Sequence, residues 1–244
     1  MQQIEETQSE SPARSRRGRR RLVLAGAVLA LVLAVGGPFA YINFVQEDAP
    51  ERLGVATATT SGDTAAAATG ASLDGTWTVA SGSQAGYRVE EVLLGQNVEA
   101  VGRTSAVTGE LTVSGTEVSS GSFSVDLTQV TSDEDRRDDA FQGRIMETAT
   151  YPTATFELTE PITLEELPAD GETVTATANG ELTLHGTTKA VTVELTVQRD
   201  GDTVNVSGSI PVTFADYGIG NPSFGPVTTE DNGEVEFLLA LSRG

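Results

Sequence analysis

Apolar residues recur at every second position through most of this chain, and that alternation constrains its fold more than any other feature. Phe123, Val125 and Leu127 alternate with Ser124, Asp126 and Thr128, and Leu182 and Leu184 alternate with Glu181, Thr183 and His185. Val191, Val193, Leu195 and Val197 alternate with Thr192, Glu194, Thr196 and Gln198. The pattern continues through Val204, Val206, Ile210, Val212 and Phe214, and through Val235, Phe237, Leu239 and Leu241. Period two sends one row of side chains inward and the next into water, which marks half-buried strands. Gly115, Gly171, Gly186, Gly201 and Gly233 break the runs, several beside Asp, Asn or Thr, and read as hairpin turns. About eight to ten such segments from Leu73 onward predict an all-β sandwich or barrel. Ser132–Met146 departs from the pattern; acidic residues at its start and Arg144 near its end suit a short helix and its dipole.

The residues before the strands are of another kind. Residues 1–21 carry six arginines and three glutamates, which leaves 9 basic and 32 acidic side chains in residues 46–244. Between these stretches, Leu22–Val45 holds no charge, and at about 1.5 Å per residue it is long enough for a hydrocarbon core of roughly 30 Å. Phe39, Tyr41 and Phe44 suit an interfacial belt at its far end. The arginines place the N-terminus in the cytoplasm by the positive-inside rule, with everything beyond Val45 extracytoplasmic. A cleaved secretory signal is the alternative, with the same domain then secreted. Gln46–Ser72 is dominated by Ala, Thr, Ser and Gly and reads as a flexible tether. The expected organisation is therefore a basic cytoplasmic tail at 1–21, a transmembrane signal anchor at 22–45, a flexible linker at 46–72 and a β domain at 73–244.

Composition removes much chemistry. The chain has no cysteine, which excludes disulfides, thiolate nucleophiles and Cys-ligated zinc, and its one histidine excludes a multi-imidazole metal site. A net charge of −20 opposes binding to nucleic acid. No nucleophile elbow, P-loop or dinucleotide fingerprint is present. Gly186-Thr187-Thr188-Lys189 reads as a hairpin turn, and His185 beside it as a structural histidine, a catalytic role being the minor alternative. Asp133, Glu134, Asp135, Asp138 and Asp139 lack EF-hand spacing and read as a solvated helix face. No catalytic residue, metal or cofactor is expected. Only ten aromatic residues lie beyond residue 72, among many Ala, Val, Thr and Gly. That is compatible with an incompletely filled barrel interior.

Four segments resemble a known family. Arg137-Asp138, Phe141 and Tyr151-Pro152-Thr153-Ala154-Thr155-Phe156 are similar to the "RD…F…YPxxxF" segment of YceI-like proteins. Gly180–Lys189 resembles that family's "GxLTxHGxTK" hairpin, Phe214–Ile219 its "DFGI" strand end with Tyr217 for phenylalanine, and Trp77-Thr78-Val79 its first strand. Two positions depart: Ser81-Gly82-Ser83-Gln84 stands where a His-Ser is frequent, and Ala190 replaces a proline. The resemblance implies an extended, antiparallel, eight-stranded, lipocalin-like β-barrel with a short helix. It also implies a non-enzymatic function: holding a polyisoprenoid, fatty-acid derivative or other long-chain lipid inside the barrel. On that basis Phe123, Phe141, Met146, Tyr151, Phe156 and Phe214 are expected to line or gate the cavity, with Arg137 near a polar headgroup. The rival expectation is a tethered protein-interaction module with a fully packed barrel; a homodimer is compatible with either.

Overall fold

The computed structural model describes residues 49–55, 72–93, 95–225 and 227–244. Residues 1–21 and 22–45, expected to be a cytoplasmic tail and a membrane anchor, lie outside the described residues. Asp48–Gly244 forms one compact unit with its own cores, which is what an independently folding domain requires.

The described strands are β1 (Gly75–Val79), β2 (Gln84–Leu93), β3 (Gln96–Thr104), β4 (Val107–Ser114), β5 (Glu117–Asp126), β6 (Thr153–Leu158), β7 (Ile162–Thr163), β8 (Thr173–Leu184), β9 (Thr187–Asp200), β10 (Thr203–Thr213), β11 (Val227–Thr229) and β12 (Asn232–Arg243). Eight of them close an antiparallel ring in the order β1-β4-β5-β6-β8-β9-β10-β12, with β12 returning to β1. The barrel implied by the resemblance is therefore the observed fold. Closure removes the unpaired edges that an open sheet would expose.

The ring is not uniform along its length. β12 pairs with β1 near its C-terminal end, Leu241 opposite Val79, and with β2 nearer its start, Val235 opposite Tyr87. β2 carries β3 on its other side, and β3 meets the segment after β5 through a two-bond bridge between Arg103 and Thr131. The helical stretch falls within Ser132–Met146 as its composition requires: α1 (Asp135–Ala140) runs into a wider π turn at Phe141–Ile145, where the Met146 N–H reaches the Phe141 carbonyl at 2.8 Å. The acidic cluster serves this stretch. Asp138 accepts from the backbone and hydroxyl of Ser132, and Asp133 pairs with Arg137.

Two expectations are revised. Gly233 is not a turn; it sits inside β12 opposite Val212, where a Cβ would come within 2.8 Å of the Val89 side chain. The stretch expected to be tether also includes residues 49–55, which lie on the outer barrel wall. Outward-facing Glu236, 1% exposed, accepts from Arg103 Nε and Nη2 at 2.9 and 2.7 Å and from Arg88 Nε at 3.3 Å. The segment caps this network: the Pro50 and Glu51 carbonyls accept from Arg88 and Arg103, the Leu53 N–H reaches Glu236, Val55 N–H reaches Ser207, and Arg52 pairs with Glu234. Backbone carbonyls and charge pairs, not apolar bulk, hold it there.

Removing the hub of a buried network strands its partners, so Glu236→Ala should lower unfolding free energy by about 3–5 kcal/mol. Urea denaturation of Asp48–Gly244 reads this, and a loss below 1 kcal/mol would contradict the role given to Glu236.

Candidate functional site: an apolar lumen with one polar end

Many inward positions of the barrel wall, β2 and β3 included, are small or branched: Ala85, Ala100, Ala154, Ala178, Val193, Val197, Val204 and Val206 are all buried. Eight strands enclose a width that such side chains do not fill. The larger rings are kept against the wall by a repeated arrangement. Tyr87 lies opposite Gly102, Phe123 opposite Gly109, and Phe237 opposite Gly208, each in direct cross-strand register. A Cβ on those glycines would come within 2.4, 2.7 and 2.9 Å of the facing ring. Gly180 does the same for Phe156, at 2.4 Å. Each ring occupies the place of a missing side chain, so it covers glycine backbone instead of projecting across the lumen.

Two chambers result. Chamber 1, about 160 Å³, is walled by Trp77, Leu111, Phe123, Phe156, Leu195, Phe237 and neighbouring aliphatic residues. Its lining is almost free of polar groups, and the indole N–H of Trp77 is spent on the Leu73 carbonyl at 2.8 Å. Chamber 2, about 120 Å³, lies under the helical stretch, which contributes Arg137, Phe141, Ile145 and Met146; Val89, Leu184, Phe214 and Ile219 complete its apolar wall. Ala85, Val125, Ala154 and Val235 belong to both chambers and form the waist between them.

Both linings are almost wholly apolar, and the ionisable side chains that border the lumen among the described residues lie at chamber 2. Glu91 and Thr229 face each other across β2 and β11. Arg137 reaches Glu91 at 4.0 Å and also pairs with Asp133. Burial holds the Glu91 carboxyl above its ordinary range, with Arg137 opposing and Asp133 reinforcing the shift. Burial likewise raises the Tyr87 phenol, whose ring stacks on Phe141 at 5.0 Å. The Thr229 hydroxyl is buried without a hydrogen-bond partner, a costly state unless something enters to satisfy it.

Six of the seven residues expected at the site border the lumen, Phe123 and Phe156 in chamber 1 and Arg137, Phe141, Met146 and Phe214 in chamber 2. Tyr151 does not. Its ring packs on His185 at 4.5 Å and against Gly186. His185 is itself held at φ 50°, with Nδ1 3.3 Å from the Tyr217 carbonyl. The most recognisable sequence motifs thus brace the end of the barrel around chamber 2, and His185 contacts a ring and a backbone carbonyl. Sequence reasoning missed Tyr87, Glu91, Thr229 and Phe237, whose roles depend on cross-strand register.

The YceI-like domain model matches residues 77–241. This chain belongs to the YceI-like domain family. No curated protein matches it. Among solved structures, it is similar to a polyisoprenoid binding domain from Saccharophagus degradans implicated in plant cell wall breakdown, at 20% identity and TM-score 0.55, covering 69% of this chain and 98% of that one. It is also similar to Burkholderia cenocepacia BcnA, at 21% identity and TM-score 0.49 over 63% and 95%, and to the Campylobacter jejuni YCEI protein, at 16% and 0.42 over 55% and 82%. At such identities the first of these supports the barrel fold.

If glycine is what seats the rings, Gly102→Val should drive Tyr87 off the wall into chamber 2 and cost about 1–3 kcal/mol of stability. Urea unfolding checks this; an unchanged midpoint would mean that Tyr87 has another place to go.

Proposed function

We propose that this YceI-like domain is a non-catalytic carrier that holds a long apolar lipid, a polyisoprenoid or fatty-acid derivative, along its two chambers. The observation that carries the reading is the lumen itself: an almost wholly apolar space left open by glycine-seated rings, with polar groups confined to one end. Apolar chain gains about 0.8 kcal/mol for each methylene withdrawn from water, so a narrow lumen needs no polar contact along most of its length. The polar end then fixes direction. The head group sits in chamber 2 beside the unpartnered Thr229 hydroxyl, Glu91 and Arg137, while the tail passes the waist into chamber 1. Arg137 already faces two carboxylates, so an uncharged hydroxyl or carbonyl head suits this end better than a phosphate. The polyisoprenoid-binding character of the Saccharophagus degradans domain supports the same reading.

The carrier is tethered, on this proposal, to the cytoplasmic membrane through residues 22–45, with its N-terminus cytoplasmic and the barrel outside. Support comes from the 24 uncharged residues between a six-arginine flank and an acidic one.

A series of prenyl and n-alkyl alcohols tests the lumen. Affinity should rise about fourfold per methylene until the chambers are filled. Ala154→Phe, which places a ring in the waist, should end that rise at a shorter chain while leaving short alcohols unaffected. Affinity independent of chain length in the unaltered domain would overturn the carrier reading in favour of a packed interaction module.

A further inference from the structure

The inner wall of chamber 2 does not stop at its mouth. Glu91 and Thr229 form one rung of that wall; Leu93 and Val227, one inward rung further out, continue the same face of the β2–β11 ladder. Val227 in turn exchanges two 3.1 Å backbone hydrogen bonds with Phe224, which puts Phe224 in the same row. Phe224 is 77% exposed, and Val92, on the opposite face of this ribbon, is 38% exposed. Among the described residues these are the two exposed large apolar side chains, and both fall at this one edge. Pro222, from the Phe224 loop, lines chamber 2. Arg144, from the roof of that chamber, donates to the Pro222 carbonyl at 2.9 Å and holds its guanidinium 5.7 Å from the Phe224 ring centre.

We propose that this edge is an apolar lip that touches the surface of a zwitterionic bilayer of no net charge while a lipid passes between the bilayer and chamber 2. The proposal rests on the carrier reading and names the surface through which the carrier is loaded. Three observations favour a bilayer as the partner. The lip is continuous with the apolar wall of the cavity, so a chain sliding along it never crosses open water. An exposed phenyl ring under an arginine is the combination that settles at a membrane interface, the ring at the acyl boundary and the guanidinium at phosphate level. One protruding aromatic residue also makes a weak, brief contact, as a shuttle needs. The charge pattern selects the surface: exposed Glu90, Glu230 and Asp231 flank the lip on a chain of net charge −20, so an anionic surface is repelled.

The test uses Asp48–Gly244 carrying Phe224→Trp, mixed with phosphatidylcholine vesicles whose acyl chains are brominated. Bromine quenches tryptophan only at close contact. The new indole should be quenched at millimolar lipid beyond any quenching of Trp77, which lines chamber 1 and is measured by itself in the unaltered domain. In parallel, Phe224→Ala should take up anthraniloyl-labelled geranylgeraniol from phosphatidylcholine vesicles about tenfold more slowly, with the same final loading. Absence of quenching, or equal uptake rates, would overturn the lip. A probe taken up by neither protein would overturn the carrier reading instead, and the quenching measurement then decides the lip on its own.

Discussion

A closed ring of eight strands encloses a fixed width, and what fills that width decides what such a protein can do. Here the filling is left incomplete. At three inward pairs one partner is glycine and the other an aromatic ring that lies over it: Tyr87 on Gly102, Phe123 on Gly109 and Phe237 on Gly208. The rings still leave water and still contribute to the core, yet each lies over glycine backbone. Stability and emptiness are usually opposed in protein interiors; this arrangement moves the buried aromatic area to the wall and leaves the axis free.

The cost of polar burial is handled differently on the two sides of the wall. Inside, the lining is almost wholly apolar, and Glu91, Arg137 and Thr229 collect at the chamber 2 end. Outside, Glu236 is buried although it faces away from the lumen, because Arg88, Arg103 and the segment 49–55 cover it. Arg52, Arg88 and Arg103 meet Glu99, Glu234 and Glu236 there, three of each sign. A domain with few basic residues has placed a third of them in one network, at the stretch where β12 holds β2 instead of β1. The network braces the half of the barrel that β3 leaves incomplete and the helical stretch must cover.

Much of this was legible in the sequence. The alternation at 182–184, 191–197 and 235–241 locates β8, β9 and β12 and their inward faces, because a half-buried strand has no other way to satisfy both solvents. The helical interruption at 132–146 was legible for the same reason, by failing to alternate. What escaped depends on pairing. A glycine in a strand reads as a turn until its neighbour is known, and Gly233 is the case in point. Tyr87 and Phe237 look like ordinary core until register sets a glycine opposite each. The docking of residues 49–55 left no apolar signature, because its bonds come mainly from backbone carbonyls and amides. Tyr151 was misleading in the other direction: it belongs to a recognisable motif, yet it supports His185 and the Gly186 turn and faces neither chamber.

A carrier of this kind must hold a single apolar guest in its lumen. Native mass spectrometry of gently purified Asp48–Gly244, followed by organic extraction, addresses this directly. The predicted result is a one-to-one species heavier than the bare chain, whose extra mass leaves as one apolar molecule with an uncharged oxygen-bearing head. A bare mass that stays unchanged after incubation with total membrane lipid would contradict it.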